Sequence, residues 1–249
     1  MIQKKKINSI LGLLSVLLLI ACVQSKPHYI GEEYVGAKYA NGPLGEGKAP
    51  DTDPLIRFDA FDCVTFVETA LAKGDLEKLN KIRYKDGKVD FLTRNHFTEL
   101  DWVQNNSDIV ENVSSEYGKT KIRTVVIDKQ NWFKKVHHID VKIPRQTVDI
   151  EYIPYSEFDT IDNKEPLIVL FVVKYPNNKI GTDLGVVHIG FLLPNNILRH
   201  ASSDQGYVVD ADFTEYVNSR KKAKNNLGIA LLKIKDVKLT TEELNNNMY

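Results

Sequence analysis

The stretch Leu167-Ile168-Val169-Leu170-Phe171-Val172-Val173 is apolar at every position. A strand with one wet face alternates apolar and polar residues. A run without alternation needs cover on both faces of its sheet. The fold must therefore place layers on both sides of this strand. Further strands are predicted around it. Residues 148–153 alternate at period two, and 184–193 form a third apolar strand that ends at the turn Pro194-Asn195-Asn196. Residues 197–202 return as its hairpin partner, 206–209 form a short strand, 213–223 read as a helix, and 227–234 read as a last strand. The first half is helical in character. From Cys63, apolar residues fall at Val64, Val67, Ala70 and Leu71, and Gly74 is a stop signal. Leu76, Leu79 and Ile82 suggest a second short helix. Residues 90–140 are mixed and polar, with 109–117 and 130–136 as helix candidates. Helices first and an antiparallel sheet later is an α+β order.

The chain opens with Lys4, Lys5 and Lys6, then runs apolar from Ile10 to Ile20 and ends Leu19-Ile20-Ala21-Cys22. A basic start, a short apolar core and a small residue before a cut describe a secretory signal over 1–21, too short for an ordinary membrane span. The tetrapeptide resembles the lipobox of bacterial lipoproteins. That resemblance implies that Cys22 is lipidated and anchors the chain in a membrane. Val23, where an aspartate would retain an inner-membrane lipoprotein, favours the periplasmic face of the outer membrane of a Gram-negative bacterium. Residues 22–30 are expected to be a tether and 31–249 a single domain with an elaborated 85–145 segment. The segment from 24 to 56 is rich in Gly and Pro, and its later part is expected to wrap the helix that Cys63 begins.

Lys+Arg and Asp+Glu both number 33, so the basic excess of a nucleic-acid binder is missing. Hydrophobic content of 43% supports a packed core. With Cys22 assigned to lipid, no cysteine pair remains for a disulfide or a cysteine-based zinc site.

Cys63 is then the only free thiol, at the start of a helix. Unpaired N–H groups and the helix dipole there favour thiolate, the nucleophilic form. The hairpin supplies candidate bases. His188 and His200 sit on its two strands, offset along one face. One imidazole acts as general base toward the thiol, and the other fixes the tautomer and orientation of the first. No carboxylate stands beside them at ligand spacing, so no metal site is assigned.

The blocks Phe61-Asp62-Cys63-Val64-Thr65-Phe66, His188-Ile189-Gly190-Phe191-Leu192 and Leu198-Arg199-His200-Ala201-Ser202 resemble the signature blocks of the NlpC-type, papain-like cell-wall cysteine peptidases. Gly36-Ala37-Lys38-Tyr39 and Asp149-Ile150-Glu151-Tyr152-Ile153-Pro154 resemble the branch that cleaves N-acetylmuramoyl-L-alanine. The resemblance implies a papain-like α+β fold with the Cys63 helix packed on an antiparallel sheet. It implies Cys63 as nucleophile, His188 as base, His200 as orienter and Tyr39 at the oxyanion hole. Arg94, His96, Trp102, Tyr152 and Ser202 are candidates for substrate binding, while Asp62 caps the helix and Thr65 and Glu68 pack or pair. The implied reaction is cleavage of the muramoyl–L-alanine amide of peptidoglycan fragments through a thioester, by a monomer, with no metal or organic cofactor. The alternatives are a γ-D-glutamyl–diamino-acid endopeptidase on the same fold, a non-catalytic peptidoglycan-binding lipoprotein and, more remotely, a lipid acyltransferase.

Overall fold

The computed structural model describes residues 29–175 and 179–235. The signal over 1–21, Cys22 and most of the tether lie outside the described residues. In chain order the principal elements are β1 (Lys38–Tyr39), β2 (Ala60–Phe61), α1 (Cys63–Leu71), α2 (Leu76–Arg83), β3 (Val110–Asn112), β4 (Lys121–Ile127), β5 (Gln146–Pro154), β6 (Leu167–Tyr175), β7 (Leu184–Leu193), β8 (Ile197–Ser202), β9 (Tyr207–Asp212), α3 (Phe213–Arg220) and β10 (Asn226–Ile234). Together they make an α+β molecule. The ten strands form one sheet in the order β2-β1-β9-β8-β7-β6-β10-β5-β4, with β3 on β10. Among the described residues, only β1 and β2 pair in parallel. The sheet curls, so that Val125 of β4 and Ile150 of β5 close over Gly185 of β7. Among the described residues, no helix is long and apolar enough to cross a membrane.

The uniformly apolar β6 lies near the middle of this sheet. Ile168, Leu170 and Val172 pack into one cluster with Phe66 and Val67 of α1. Leu167, Val169 and Phe171 pack into another with Phe213 and Val217 of α3. Both faces are covered, which is why the strand has no polar period. Full burial of one such side chain contributes about 1.5–3 kcal/mol.

The start of α1 is set by Asp62. Its carboxylate accepts the Thr65 N–H at 2.8 Å, while the Thr65 hydroxyl oxygen accepts the Asp62 N–H at 2.9 Å. This reciprocal capping satisfies two N–H groups that would otherwise be unpaired. The helix ends through Lys73 and Gly74, both left-handed, with the Gly74 N–H returning to the Thr69 carbonyl at 3.1 Å. The segment before α1 is tied down by buried charge. Arg83 donates to Glu68 and to the Leu44 carbonyl, both at 2.7 Å. The Gly/Pro-rich stretch therefore wraps α1 and α2, as its composition suggests.

Two readings of the middle segment change. Residues 110–112 are a strand because β10 supplies a pairing edge, Glu111 opposite Lys233. Only Ser114–Tyr117 of that helix candidate is helical. Residues 121–127 form β4, with Val125 and Ile127 turned inward while Ile122 and Val126 face solvent. Apolar residues on both faces hid the strand period in the sequence.

Candidate active site

The hairpin of β7 and β8 is laddered for only three pairs, from Leu193↔Ile197 to Phe191↔Arg199. Beyond these, β8 continues its pairing with β9, from Arg199↔Asp210 to Ser202↔Tyr207. His188 and His200 sit past the end of the ladder, on the face that also carries Leu192 and Leu198. The β6 ladder skips Val187: Phe171 pairs with His188 and Val172 with Val186. Such a bulge re-aims the neighbouring side chain. The two imidazoles meet across the gap, with His188 Nε2 2.8 Å from His200 Nδ1 and the rings nearly perpendicular at 83°.

Gly190 makes this approach fit. A Cβ there would lie 3.0 Å from the Arg199 carbonyl oxygen and 3.0 Å from the His200 Cβ. The glycine of the His-Ile-Gly block is thus a spacing device for the second histidine.

Cys63 is the first residue of α1, which packs on β7 and β8. The thiol is half-buried, and the backbone N–H of Ile189, the residue after His188, hydrogen-bonds its sulfur. Tyr216 of α3 lies against both imidazoles, 5.0 Å from the His200 ring and 6.0 Å from that of His188, and lies near enough to Cys63 that a thiolate there would raise its phenol. Tyr39 stands in β1 opposite Phe61, and its phenol is raised by burial, then by a thiolate at Cys63 when one forms, and by the Asp62 carboxylate.

The electrostatics reverse one expectation. Burial pushes the Cys63 thiol up to about 12, and the Asp62 carboxylate adds to the shift. The N–H groups of Ile189, Val64 and Cys63 pull the other way and lose. The helix start therefore does not make a resting thiolate. Burial also lowers His188 to about 3, helped by the nearby His200 and Arg220. His200 falls to about 4 for the same first reason, opposed by Asp204 and Asp210. The resting site is a neutral thiol with two neutral imidazoles. Among the described residues, no three His, Cys, Asp or Glu side chains gather to hold a metal ion.

The five substrate-binding candidates do not join this cluster. Arg94 is taken up by Glu46 at 2.6 Å and Asp51 at 2.7 Å. His96 is packed among Phe91, Trp132 and Phe133, with Nε2 on the Phe91 carbonyl at 2.7 Å. Trp102 is fully buried, and Tyr152 belongs to the core. Ser202 is buried and accepts the Gln205 N–H in the turn that follows. Arg94, His96 and Ser202 spend polar groups on the fold, while the Trp102 Nε1 is buried without a hydrogen-bond partner among the described residues. The half-buried His137 sets its ring against Trp132 at 4.6 Å, in the same aromatic cluster as His96. Two surface clefts of about 420 and 510 Å³ open around Asp128, Asn131 and Arg145, and none of their lining residues belongs to the Cys63 cluster.

Two residues of the site carry no sequence mark. Tyr216 and Arg220 lie four apart on α3, a spacing that places them on one helix face. Only the fold shows that this face meets the histidines.

A family model described as AmiA-like, N-acetylmuramoyl-L-alanine amidase-like, matches residues 29–228. A solved structure from Legionella pneumophila, of the DUF1460 family, superposes with a TM-score of 0.73 at 24% identity, covering 83% of this chain and 87% of its own. A Bacteroides uniformis N-acetylmuramoyl-L-alanine amidase gives 0.63 at 21% identity, covering 83% and 97%. A putative xylanase from Bacteroides fragilis gives 0.62 at 25% identity, covering 82% and 99%. No match is found among curated protein sequences.

Proposed function

We propose a function from one premise: this chain belongs to the AmiA-like, N-acetylmuramoyl-L-alanine amidase-like family. Within that family we read it as a cysteine-dependent amidase of papain-like, NlpC-type design. It cleaves the bond between the lactyl group of N-acetylmuramic acid and L-alanine. The observation that carries this reading is the 2.8 Å contact between His188 and His200 at the strand whose Ile189 N–H holds the Cys63 sulfur. A thiol, two imidazoles and two phenols suit acyl transfer, whereas glycoside hydrolysis takes a pair of carboxylates.

The steps follow from the neutral resting state. The contact to His200 uses Nε2 of His188 and leaves Nδ1 for the thiol. For Nδ1 to keep its lone pair, Nε2–H must donate to His200 Nδ1, and His200 then carries its proton on Nε2. The Cys63 proton passes to His188 Nδ1 as sulfur attacks the lactyl carbonyl. The resulting oxyanion is held by the Cys63 N–H and the Tyr39 hydroxyl. On collapse the carbon–nitrogen bond breaks, and His188 gives its proton to the alanine nitrogen. The peptide leaves with a free amine. Water then loses a proton to His188 and attacks the thioester. The carbon–sulfur bond breaks, Cys63 regains its proton, and the muramic acid carboxyl is released. The chain's first residues extend the proposal to the cell envelope, through lipid on Cys22; Cys22→Ser should release the protein from membranes.

The test is digestion of defined muropeptides read by mass spectrometry. The amidase leaves sugar without peptide, whereas an endopeptidase leaves sugar bearing a dipeptide. Cys63→Ala should abolish release, and chelators should leave it intact. An active Cys63→Ala protein ends the reading.

A further inference from the structure

Arg94, the obvious guanidinium for a substrate carboxylate, is consumed by Glu46 and Asp51. Most other arginines are consumed likewise: Arg57 by Asp59, Arg83 by Glu68, Arg145 by Asp128 and Arg199 by Asp210. Among the described residues, only Arg123 and Arg220 have no carboxylate partner. Arg123 lies on β4, at the edge of the sheet. Arg220 lies close enough to His188 for its charge to act on that ring.

Its position follows from helix geometry. Arg220 is the last residue of α3, one turn beyond Tyr216, whose ring packs on His188, His200 and Phe171. Residues four apart share a face, so the guanidinium continues the surface that α3 presents to the histidines. The Nε of Arg220 is buried, and among the described residues it meets no hydrogen-bond acceptor. A cation at a helix C-terminus is favoured by the dipole, which accounts for the charge there. It does not account for a buried guanidinium N–H left unpaired. No carboxylate forms an ion pair with it, and the phenols of Tyr155 and Tyr216 and the ring of His188 each register its positive charge, while Asp204 acts on Tyr216 from outside α3. The guanidinium shares a side-chain hydrogen bond with Tyr155 and keeps its buried Nε–H unpaired, and a planar donor fork of this kind can bind a carboxylate on two parallel hydrogen bonds.

We propose that Arg220, flanked by Tyr155 and Tyr216, is a carboxylate subsite that holds the acidic peptide leaving from the scissile amide. The proposal takes the nature of its ligand from the amidase reading above, and it assigns a specificity-determining role that reading does not contain. A peptide bearing a free carboxylate close to its L-alanine end would be anchored one helical turn from the base. An amidated peptide would lose that anchor.

The experiment measures binding separately from turnover. The Cys63→Ala protein is titrated calorimetrically with a muramoyl peptide whose carboxylates are free, and with the same compound fully amidated. A hydrogen bond to a charged group predicts that the free acid binds about 10-fold or more tighter. Arg220→Gln in the same background should abolish the preference, and Arg220→Lys should keep part of it, because the charge remains and the fork is lost. If the Gln variant fails to fold, the Lys variant and the Cys63→Ala protein still decide the matter. Equal binding of acid and amide by the Cys63→Ala protein overturns the subsite, as does a Gln variant that weakens both ligands alike. Digestion by the Cys63-intact protein is read in parallel. Arg220-dependent preference without peptide release sinks the amidase and spares the subsite. Peptide release without preference does the reverse.

Discussion

Gly190→Ala tests the geometry of the imidazole pair more directly than removal of either ring. The backbone of Gly190 is not left-handed, so alanine meets no conformational penalty, and the whole effect comes from its neighbours. The new methyl would lie 3.0 Å from the Arg199 carbonyl oxygen, 3.0 Å from the His200 Cβ and 3.2 Å from a Leu198 methyl. The first contact is with backbone and the second is a Cβ, so neither can swing aside. Strand β8 must move away from β7 by a few tenths of an ångström, carrying His200 with it. Overpacking of this kind costs about 1–3 kcal/mol. At roughly 2–4 °C per kcal/mol for a chain of this size, Tm should fall by about 2–12 °C. The 2.8 Å contact between the rings should lengthen as well. Its net worth of roughly 0.5–1.5 kcal/mol is a factor of about 2–13 in rate. Misplacing the base adds to this, so a total loss of about 10- to 100-fold in kcat/KM is expected. The assay is peptide release from a defined muropeptide at 25 °C, on protein shown by circular dichroism to be folded. A cycle with His200→Ala completes it: if the methyl acts through the second ring, it should cost little once that ring is gone. Wild-type turnover in folded Gly190→Ala, or an undiminished effect in the His200→Ala background, refutes the argument.

Two further predictions concern residues that hold the site without touching it. Arg83→Ala leaves Glu68 as an uncompensated charge in the core and should cost about 3–5 kcal/mol, read as a drop in the denaturant midpoint. Arg94→Ala should lower thermal stability while KM for muropeptide stays within about twofold, because its guanidinium is spent on Glu46 and Asp51; a large rise in KM would return Arg94 to the binding surface.

The sequence carried the parts of this molecule that depend on short-range pattern. The unalternating 167–173 run demanded two covered faces, and β6 has them. The Pro194-Asn195-Asn196 turn put two histidines on one face of a hairpin, and their rings touch. Asp62 ahead of Thr65 wrote the start of α1. What it did not carry were the partners of charged groups. Arg94 reads as available in sequence, and nothing local reveals that Glu46 and Asp51, more than forty residues upstream, take it up. Trp102 and Tyr152 read as candidates for substrate binding, and nothing local reveals that both side chains are buried in the core. Tyr216 and Arg220 have an ordinary helical spacing, which becomes chemically informative only once α3 lies across the histidines.

The state of the thiol shows the same limit most sharply, because two consequences of one residue oppose each other. Asp62 caps α1 and so creates the helix start whose N–H groups favour a thiolate. Its carboxylate also sits beside the sulfur, and with burial it drives the thiol up to about 12. Asp62→Asn separates the two effects. Asparagine remains a good N-cap, so the helix start should survive. The negative charge is lost, so thiolate becomes easier to form and the pKa must fall. The readout is iodoacetamide alkylation of Cys63 against pH. In the wild-type protein the rate should be low near pH 7 and climb through the alkaline range with no plateau, since only the thiolate reacts. In Asp62→Asn the curve should shift to lower pH, and a shift of one unit would raise the rate near neutrality by roughly 10-fold. Peptide release need not rise in step, because a neutral imidazole that takes the proton during attack does not need the thiolate beforehand. A wild-type plateau already reached below pH 7 would mean that Cys63 and His188 rest as an ion pair, and the neutral-pair mechanism would have to be abandoned.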